Sequence, residues 1–296
     1  MQKTIASYEF LYQRKQKGAK FMHISLNNAY TMPILGFGTY KLKGKEAYSA
    51  VRSALELGYR LIDTAHFYDN EQEVGAALRD AIAEGLVKRE ELFVTTKIWN
   101  EDQRQGRQEE VAHESLKLLG LDYLDLMLIH WPVAPHYHKT WSVMEKMQDE
   151  GYFRSIGVCN FNSRQLEDLL SGATHKVQVN QMEHHPYLQD TACKALCDKL
   201  GIAYQAWSPL GRGMELDDPS LIKLAEKYNK SVAQIILRWH LEQGICAIPK
   251  ASSQKRIKEN IDIFDFCLLE EELELISKLE CGRYVNPASS PENFDF

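Results

Sequence analysis

Eight short apolar runs, each followed by a stretch of helical periodicity, constrain the fold of this 296-residue chain more than any other feature. They lie near 34–38, 60–63, 92–97, 124–130, 154–158, 177–181, 203–207 and 245–248. Short continuous apolar runs mark strands buried on both faces, as in parallel sheets. The intervening stretches carry helix punctuation. From Lys45 to Leu57 the apolar positions Ala47, Val51, Ala54 and Leu55 share one face and the pattern stops at Gly58, while Gln108 to Leu119 stops at Gly120. Asn162 with Gln165, and Ser231 with Gln234, fit capping boxes, and Asp218 before Pro219 reads as a cap followed by a first-turn proline. The alternation predicts an α/β protein, a closed (β/α)8 TIM barrel, although periodicity alone leaves a doubly wound sheet open. Ahead of the first run, His23 to Leu26, Asn27-Asn28 and Thr31 to Leu35 read as a β-hairpin capping the barrel bottom. No linker or composition break divides 23–296, so one domain is expected there. Residues 1–22 read as a disordered extension or an upstream start ahead of Met22, with an organelle address as the alternative.

Composition narrows the partners. A formal net charge of -6 gives no basic footprint for nucleic acid, and 44% hydrophobic residues support a packed interior. No apolar run reaches the roughly 18 residues of a membrane span, and the first residues lack the apolar centre of a secretory signal. Six scattered cysteines do not form a secreted disulfide framework; a reducing, cytoplasmic setting and small-molecule partners are expected. Cys193 and Cys197 lie four apart without matching ligands at zinc spacing, so no metal is assigned.

Three of the runs end in reactive side chains: Asp63 and Tyr68 in LIDTAHFYDNE, Lys97 in LFVTTKIWN, and His130 in YLDLMLIHWP. In a parallel barrel the carboxyl ends of the strands converge on one mouth, where such enzymes do chemistry. An ion pair, a rim aromatic or a core histidine would account for each residue singly, but packing requires no such set. Together they suit reduction of a carbonyl, which builds negative charge on oxygen and needs a proton donor and stabilisers there. Tyr68 is the candidate donor. Lys97 is expected to lower its pKa from about 10, Asp63 to hold Lys97 charged, and His130 to orient the carbonyl oxygen.

From about His23 onward the chain resembles the aldo-keto reductases. The motifs that carry the likeness run in family order: GFGTY at 36–40, DTAHFYDNE at 63–71, TTKIWN at 95–100, LIHWP at 128–132, IGVCNF at 156–161, QVNQMEHHPY at 178–187, QAWSPLG at 205–211 and IPKASSQKRIKEN at 248–260. There is no GxGxxG opening a helix, so a Rossmann site is not expected. The resemblance implies that Gly38, Thr39, Tyr40 and Asp63 lie along the nicotinamide end of a bound cofactor. It places Asn160 and Gln181 on the carboxamide, Trp207 flat on the ring, and Ser208 and Leu210 along the pyrophosphate. Cys159 stands where the family usually has serine, which weakens one carboxamide contact. Lys250 and Arg256 match a 2′-phosphate site and imply NADPH, Glu259 and Asn260 match adenine contacts, and Ala251 replaces a serine whose bond Ser252 or Ser253 could restore. Tyr40, Trp99, His130 and Trp131 match the substrate pocket, with Phe67 and His66 at its rim; barrel core is the other reading of the two tryptophans. His184 and His185 read as structure. Short loops place the likeness nearest the bacterial 2,5-diketo-D-gluconate reductase and prostaglandin F synthase-like branch, and a monomer is expected. A cofactor-binding regulatory subunit and a metal-dependent barrel hydrolase or lyase are the rival classes; the intact tetrad opposes the first, and lysine on the third strand the second.

Overall fold

The computed structural model describes residues 23–291. The reading of 1–22 as an extension lies outside them. A two-stranded antiparallel hairpin, β1 (His23–Ser25) and β2 (Thr31–Pro33), precedes eight parallel strands in sequential order. These are β3 (Phe37–Gly38), β4 (Leu61–Asp63), β5 (Phe93–Ile98), β6 (Leu124–Ile129), β7 (Phe153–Cys159), β8 (Val179–Glu183), β9 (Ala203–Trp207) and β10 (Cys246–Ala247). The helices around them are α1 (Gly44–Glu56), α2 (Glu71–Ala83), α3 (Asn100–Gln105), α4 (Gln108–Leu119), α5 (His136–Asp149), α6 (Ser163–Gly172), α7 (Thr191–Leu200), α8 (Pro219–Tyr228), α9 (Val232–Glu242), α10 (Gln254–Ile261) and α11 (Glu270–Ser277). Among the described residues none is long and apolar enough to cross a membrane.

The barrel closes where its first and last strands meet. Gly36 N donates to the Ala247 carbonyl at 2.8 Å, Ala247 N to Ile34 at 3.0 Å and Gly38 N to Pro249 at 3.1 Å. Both seam strands are shorter than their apolar runs, and β10 stops short of Pro249, which has no amide to continue the ladder. Gly36 leaves room for the side chains beside the seam: a Cβ there would stand 2.2 Å from Leu61 Cδ2 and 3.0 Å from Ile248 Cγ2. The sixth run also shifts, from 177–181 to Val179–Glu183, since Gln178 bonds Ile156 with both its backbone N–H and its side-chain Oε1.

Alternation along the strands builds two cores. Leu61, Phe93, Leu126, Leu128, Val179 and Cys246 point into the barrel, with Leu26 and Met32 of the hairpin packed among them from below. Ile62, Val94, Met127, Ile156 and Tyr204 face the helices. Each such large side chain, fully buried, contributes about 1.5–3 kcal/mol. The hairpin is held at the amino ends of the strands by Asn27 Nδ2 on the Val177 carbonyl (2.8 Å) and Asn28 Nδ2 on that of Arg154 (3.0 Å). With the bottom plugged, the carboxyl ends form the open mouth.

Local signals place the helices. The four apolar residues read from the α1 periodicity are all buried, joined by Ala50. Both capping boxes form, at α6 and α9, and Asp218 caps α8 ahead of its first-turn proline. Cys193 and Cys197 face inward from α7, where Asn180 Nδ2 reaches their sulfurs at 3.5 and 3.9 Å.

Candidate active site

Asp63 ends β4, Lys97 is the penultimate residue of β5 and His130 follows β6, so one layer of the barrel mouth carries all three. Lys97 is 1% exposed and Asp63 2%. Their Nζ–Oδ1 distance is 2.7 Å, and Nζ donates a second bond to the Thr64 carbonyl at 2.8 Å. A third contact, at 3.4 Å, reaches Tyr68 Oη. An ammonium has three N–H groups, so the first two bonds fix the third on the phenol.

Tyr68 sits on a single 3-10 turn, His66–Tyr68, that the following residues pin down. Asn70 donates to the Thr39 and Leu42 carbonyls (3.0 and 2.9 Å) and accepts from Thr64 Oγ1 at 2.7 Å. Glu71, buried at the start of α2, accepts from Thr96 Oγ1 (2.5 Å) and Ser115 Oγ (3.1 Å) and pairs with His66 at 3.2 Å. Its hydrogen bond raises the His66 pKa against the opposing effect of burial. Lys43 Nζ holds the Tyr68 carbonyl at 2.7 Å. The anchors Asn70 and Glu71 were visible only as the DNE closing the motif, without a role.

The expected lowering of the Tyr68 pKa is not what the structure gives. Burial pushes the phenol well above its ordinary value, and the Asp63 carboxylate pushes it the same way. With Asp63 bound to Lys97 at 2.7 Å, the ammonium 3.4 Å from the phenol oxygen does not outweigh burial and the carboxylate. Tyr68 therefore keeps its proton. Burial first, and Lys97 second, hold the His130 imidazole well below its ordinary pKa, and its Nδ1 is buried without a protein partner. A neutral ring with one N–H is the form that can donate to a carbonyl oxygen.

Aromatic side chains frame this cluster. Phe67 stacks on Trp99 at 3.8 Å and 15°, Trp99 meets the His130 ring edge-on at 4.9 Å, and Tyr40 leans on Tyr68 at 5.0 Å. Phe67 and Tyr40 are exposed large aromatics, whereas Trp131 is nearly buried and takes Gln103 Nε2 on its carbonyl at 3.0 Å.

The residues read as cofactor contacts occupy the neighbouring strand ends. Gln181 Nε2 donates to Asp63 Oδ2 (2.8 Å) and to Gln205 Oε1 (2.6 Å), tying β8 to the ion pair, a link the sequence did not disclose. Asn160 has left-handed backbone (φ 63°), donates to the His130 carbonyl at 3.0 Å and accepts from Trp207 Nε1 at 2.8 Å. The Cys159 thiol lies 3.5 Å from Gln181 Oε1, and burial pushes its pKa up, so it stays a protonated, weak donor. Thr39 Oγ1 is spent on the Asp63 carbonyl at 3.0 Å. Gly38 abuts the seam, where a Cβ would stand 2.9 Å from the Ile248 carbonyl. Ser208 and Leu210 open the loop after β9 and are half-buried. Beyond β10, Lys250, Ser252 and Arg256 are exposed, Ala251 and Asn260 buried and Glu259 half-buried. Ser253 accepts from Arg256 N at 3.4 Å and so caps α10. The C-terminal tail also reaches the mouth: Val285 N donates to Glu183 Oε1 at 2.6 Å and Pro291 accepts from Gln165 at 3.3 Å. No sequence motif marked it.

Comparison with known proteins agrees with this architecture. Residues 34–280 match the Aldo/keto reductase family. An uncharacterized oxidoreductase, YtbE, of Bacillus subtilis is 46% identical over 275 residues, 92% of this chain and 97% of that protein. The methylglyoxal reductase DkgA of Escherichia coli is 43% identical over 275 residues, with 92% and 97% covered. The crystal structure of a Bombyx mori aldo-keto reductase in complex with NADP superposes with a TM-score of 0.86 at 41% identity, covering 92% of this chain and 97% of that one. With the matching segment spanning the whole barrel and its mouth, the chain belongs to the aldo/keto reductase family.

Proposed function

We propose that this oxidoreductase reduces small aldehydes and ketones to alcohols with NADPH, using Tyr68 as proton donor. The observation that carries the reading is the Lys97 ammonium, buried at the mouth and shared between Asp63 (2.7 Å) and the Tyr68 hydroxyl (3.4 Å). NADPH, when bound, supplies a hydride to the carbonyl carbon. Tyr68 gives its proton to the carbonyl oxygen, and Lys97 stabilises the phenolate left behind. His130, neutral, donates its N–H to the same oxygen and fixes the carbonyl's direction. Thr64 and Asp63 keep the ammonium from turning away.

The residues fit the cofactor. Lys250 in the loop after β10 and Lys255 and Arg256 in the first turn of α10 are exposed, and none makes an ion pair among the described residues, which suits a 2′-phosphate. In the same reading Asn160 and Gln181 take the carboxamide, with Cys159 beside them. The Trp207 indole, steered by its bond to Asn160, stacks on the ring. Gly38, Thr39 and Tyr40 border the nicotinamide, Ser208 and Leu210 the pyrophosphate, and Glu259 and Asn260 the adenine. Tyr40, Trp99 and Trp131 wall the substrate. A monomer in the cytoplasm, of the diketogluconate reductase-like branch, belongs to this reading.

Two relatives at 43% and 46% identity carry the names methylglyoxal reductase and glyoxal reductase, which favours short dicarbonyls as the first compounds to try. NADPH oxidation by the purified protein against aldehydes, dicarbonyls, keto sugars and quinones tests the reaction; no turnover with any class would end the proposal. Arg256→Ala tests the phosphate site and should cut the NADPH over NADH preference about ten- to a hundredfold, the worth of one charge-assisted bond. An unchanged ratio would remove Arg256 from it.

A further inference from the structure

His185 is fully buried between two buried carboxylates. Its Nε2 stands 3.1 Å from Glu183 Oε1 and its Nδ1 lies against Glu215 Oε1. A carboxylate on each ring nitrogen favours the imidazole with both N–H groups, the cation, which can donate to both at once. The surroundings agree: the carboxylates outweigh burial and raise the ring to about 9, whereas His184 and His240 beside it are held neutral by burial.

The triad joins three segments distant in sequence. Glu183 ends β8 and accepts from Val285 N of the C-terminal tail at 2.6 Å. Glu215 belongs to the loop between β9 and α8 and accepts from Tyr187 N at 3.2 Å. The Tyr187 carbonyl receives the tail amides of Cys281 (3.2 Å) and Arg283 (3.1 Å), and its hydroxyl bonds Asp218 at 3.0 Å. The loop between β9 and α8 needs such an anchor. Ser208, Gly211, Arg212 and Gly213 all have left-handed backbone, with φ of 47°, 50°, 51° and 94°, a conformation that two non-glycine residues adopt only under constraint. Glu215 packs so closely on Gly211 that a Cβ there would stand 2.8 Å from its carboxyl carbon.

We propose that protonated His185 is a positioning residue that latches the loop at 208–218 shut over the cofactor pyrophosphate and binds its opening to that of the C-terminal tail. This rests on the reading that Ser208 and Leu210 border the pyrophosphate. Discharging His185 leaves two buried carboxylates facing each other without their cation, and the loop and tail come loose together.

The test uses the full chain and His185→Gln. NADPH dissociation, followed by stopped-flow fluorescence, should quicken tenfold or more, while hydride transfer in a single turnover of NADPH-loaded enzyme stays within about twofold. In wild type the dissociation rate should climb as pH passes through about 9, and in the variant it should be flat there. A general loss of packing would not remove that pH step. In cofactor-free protein, amide exchange at 208–218 and 281–285 should rise together. Should His185→Gln not fold, Glu215→Gln keeps an acceptor for Tyr187 and removes the charge, and must give the same changes. Normal NADPH binding with an unchanged dissociation rate overturns the latch. Failure of wild type to bind NADPH overturns the cofactor reading and the latch with it. Faster exchange in the loop alone overturns the link to the tail.

Discussion

The two ends of the barrel each bury a carboxylate against cations, yet they are built for different work. At the bottom, Asp125 near the start of β6 takes Arg89 at 2.8 Å, Arg154 at 3.1 Å and the Val94 amide at 2.9 Å. Both guanidinium groups lie on the Tyr123 ring, at 3.9 and 4.0 Å. At the mouth, Asp63 takes Lys97 and Gln181, at 2.7 and 2.8 Å. Burial and the number of bonds barely separate the two. The chemistry of the partners does. Arginine cannot release a proton in a protein, so the cations of the bottom cluster are permanent and it serves as a clasp between β5, β6 and β7. Lysine, tyrosine and histidine at the mouth can all exchange protons, and the Lys97 contact to Tyr68 is left long, at 3.4 Å. A buried ion pair is weak evidence of function by itself; one whose cation points its last N–H at an ionisable hydroxyl is stronger.

The comparison breaks most directly at Tyr68. Tyr68→Phe removes only the hydroxyl and should lower turnover about 10²- to 10⁴-fold with NADPH affinity near wild type. Near-normal reduction by the variant would strike Tyr68 from the mechanism, and loss of cofactor binding as well would make its role structural. Lys97→Met strands Asp63 as an unpaired buried charge. It should cost about 3–5 kcal/mol of stability in denaturant titration and abolish turnover in whatever remains folded. A variant of full stability would mean that the mouth pair bears no structural load. Asp125→Asn sharpens the contrast from the other end, costing about 1.5–3 kcal/mol through its charged hydrogen bonds while kcat/KM holds steady. If turnover fell with it, the two ends would not be separable.

The smallest expected effect is on pH dependence. Burial depresses His130, His184 and His240, the last to about 4, so the folded chain excludes protons that the unfolded chain takes up near 6.5. Stability should therefore fall as pH drops below 6.5, by up to about 1.4 kcal/mol per unit for each ring. His185 adds no slope there, being charged in both states; its contribution is lost instead as pH rises from about 6.5 through about 9. Equal unfolding midpoints at pH 6.5 and 5.5 would contradict the neutral assignments.

What the sequence by itself determined is local or repeated. The apolar runs and their punctuation fix which segments are strands and where helices start, since caps and periodicity act within a few residues: Asn162 with Gln165 and Ser231 with Gln234 bond as read. Placing Asp63, Lys97 and His130 at strand ends is enough to bring them to one mouth, because in a parallel barrel every carboxyl end faces the same way. Only the tertiary structure decided which groups then touch. Gln181 reaches Asp63 across 118 positions of sequence, the seam at Gly36 depends on strands more than 200 residues apart, and the tail meets Glu183 across 102. The direction of the Tyr68 shift belongs here too. A lysine nearby suggested a lowered pKa, but the outcome turns on burial and on an Asp63 carboxylate that already claims that lysine, and both are set by distances in three dimensions.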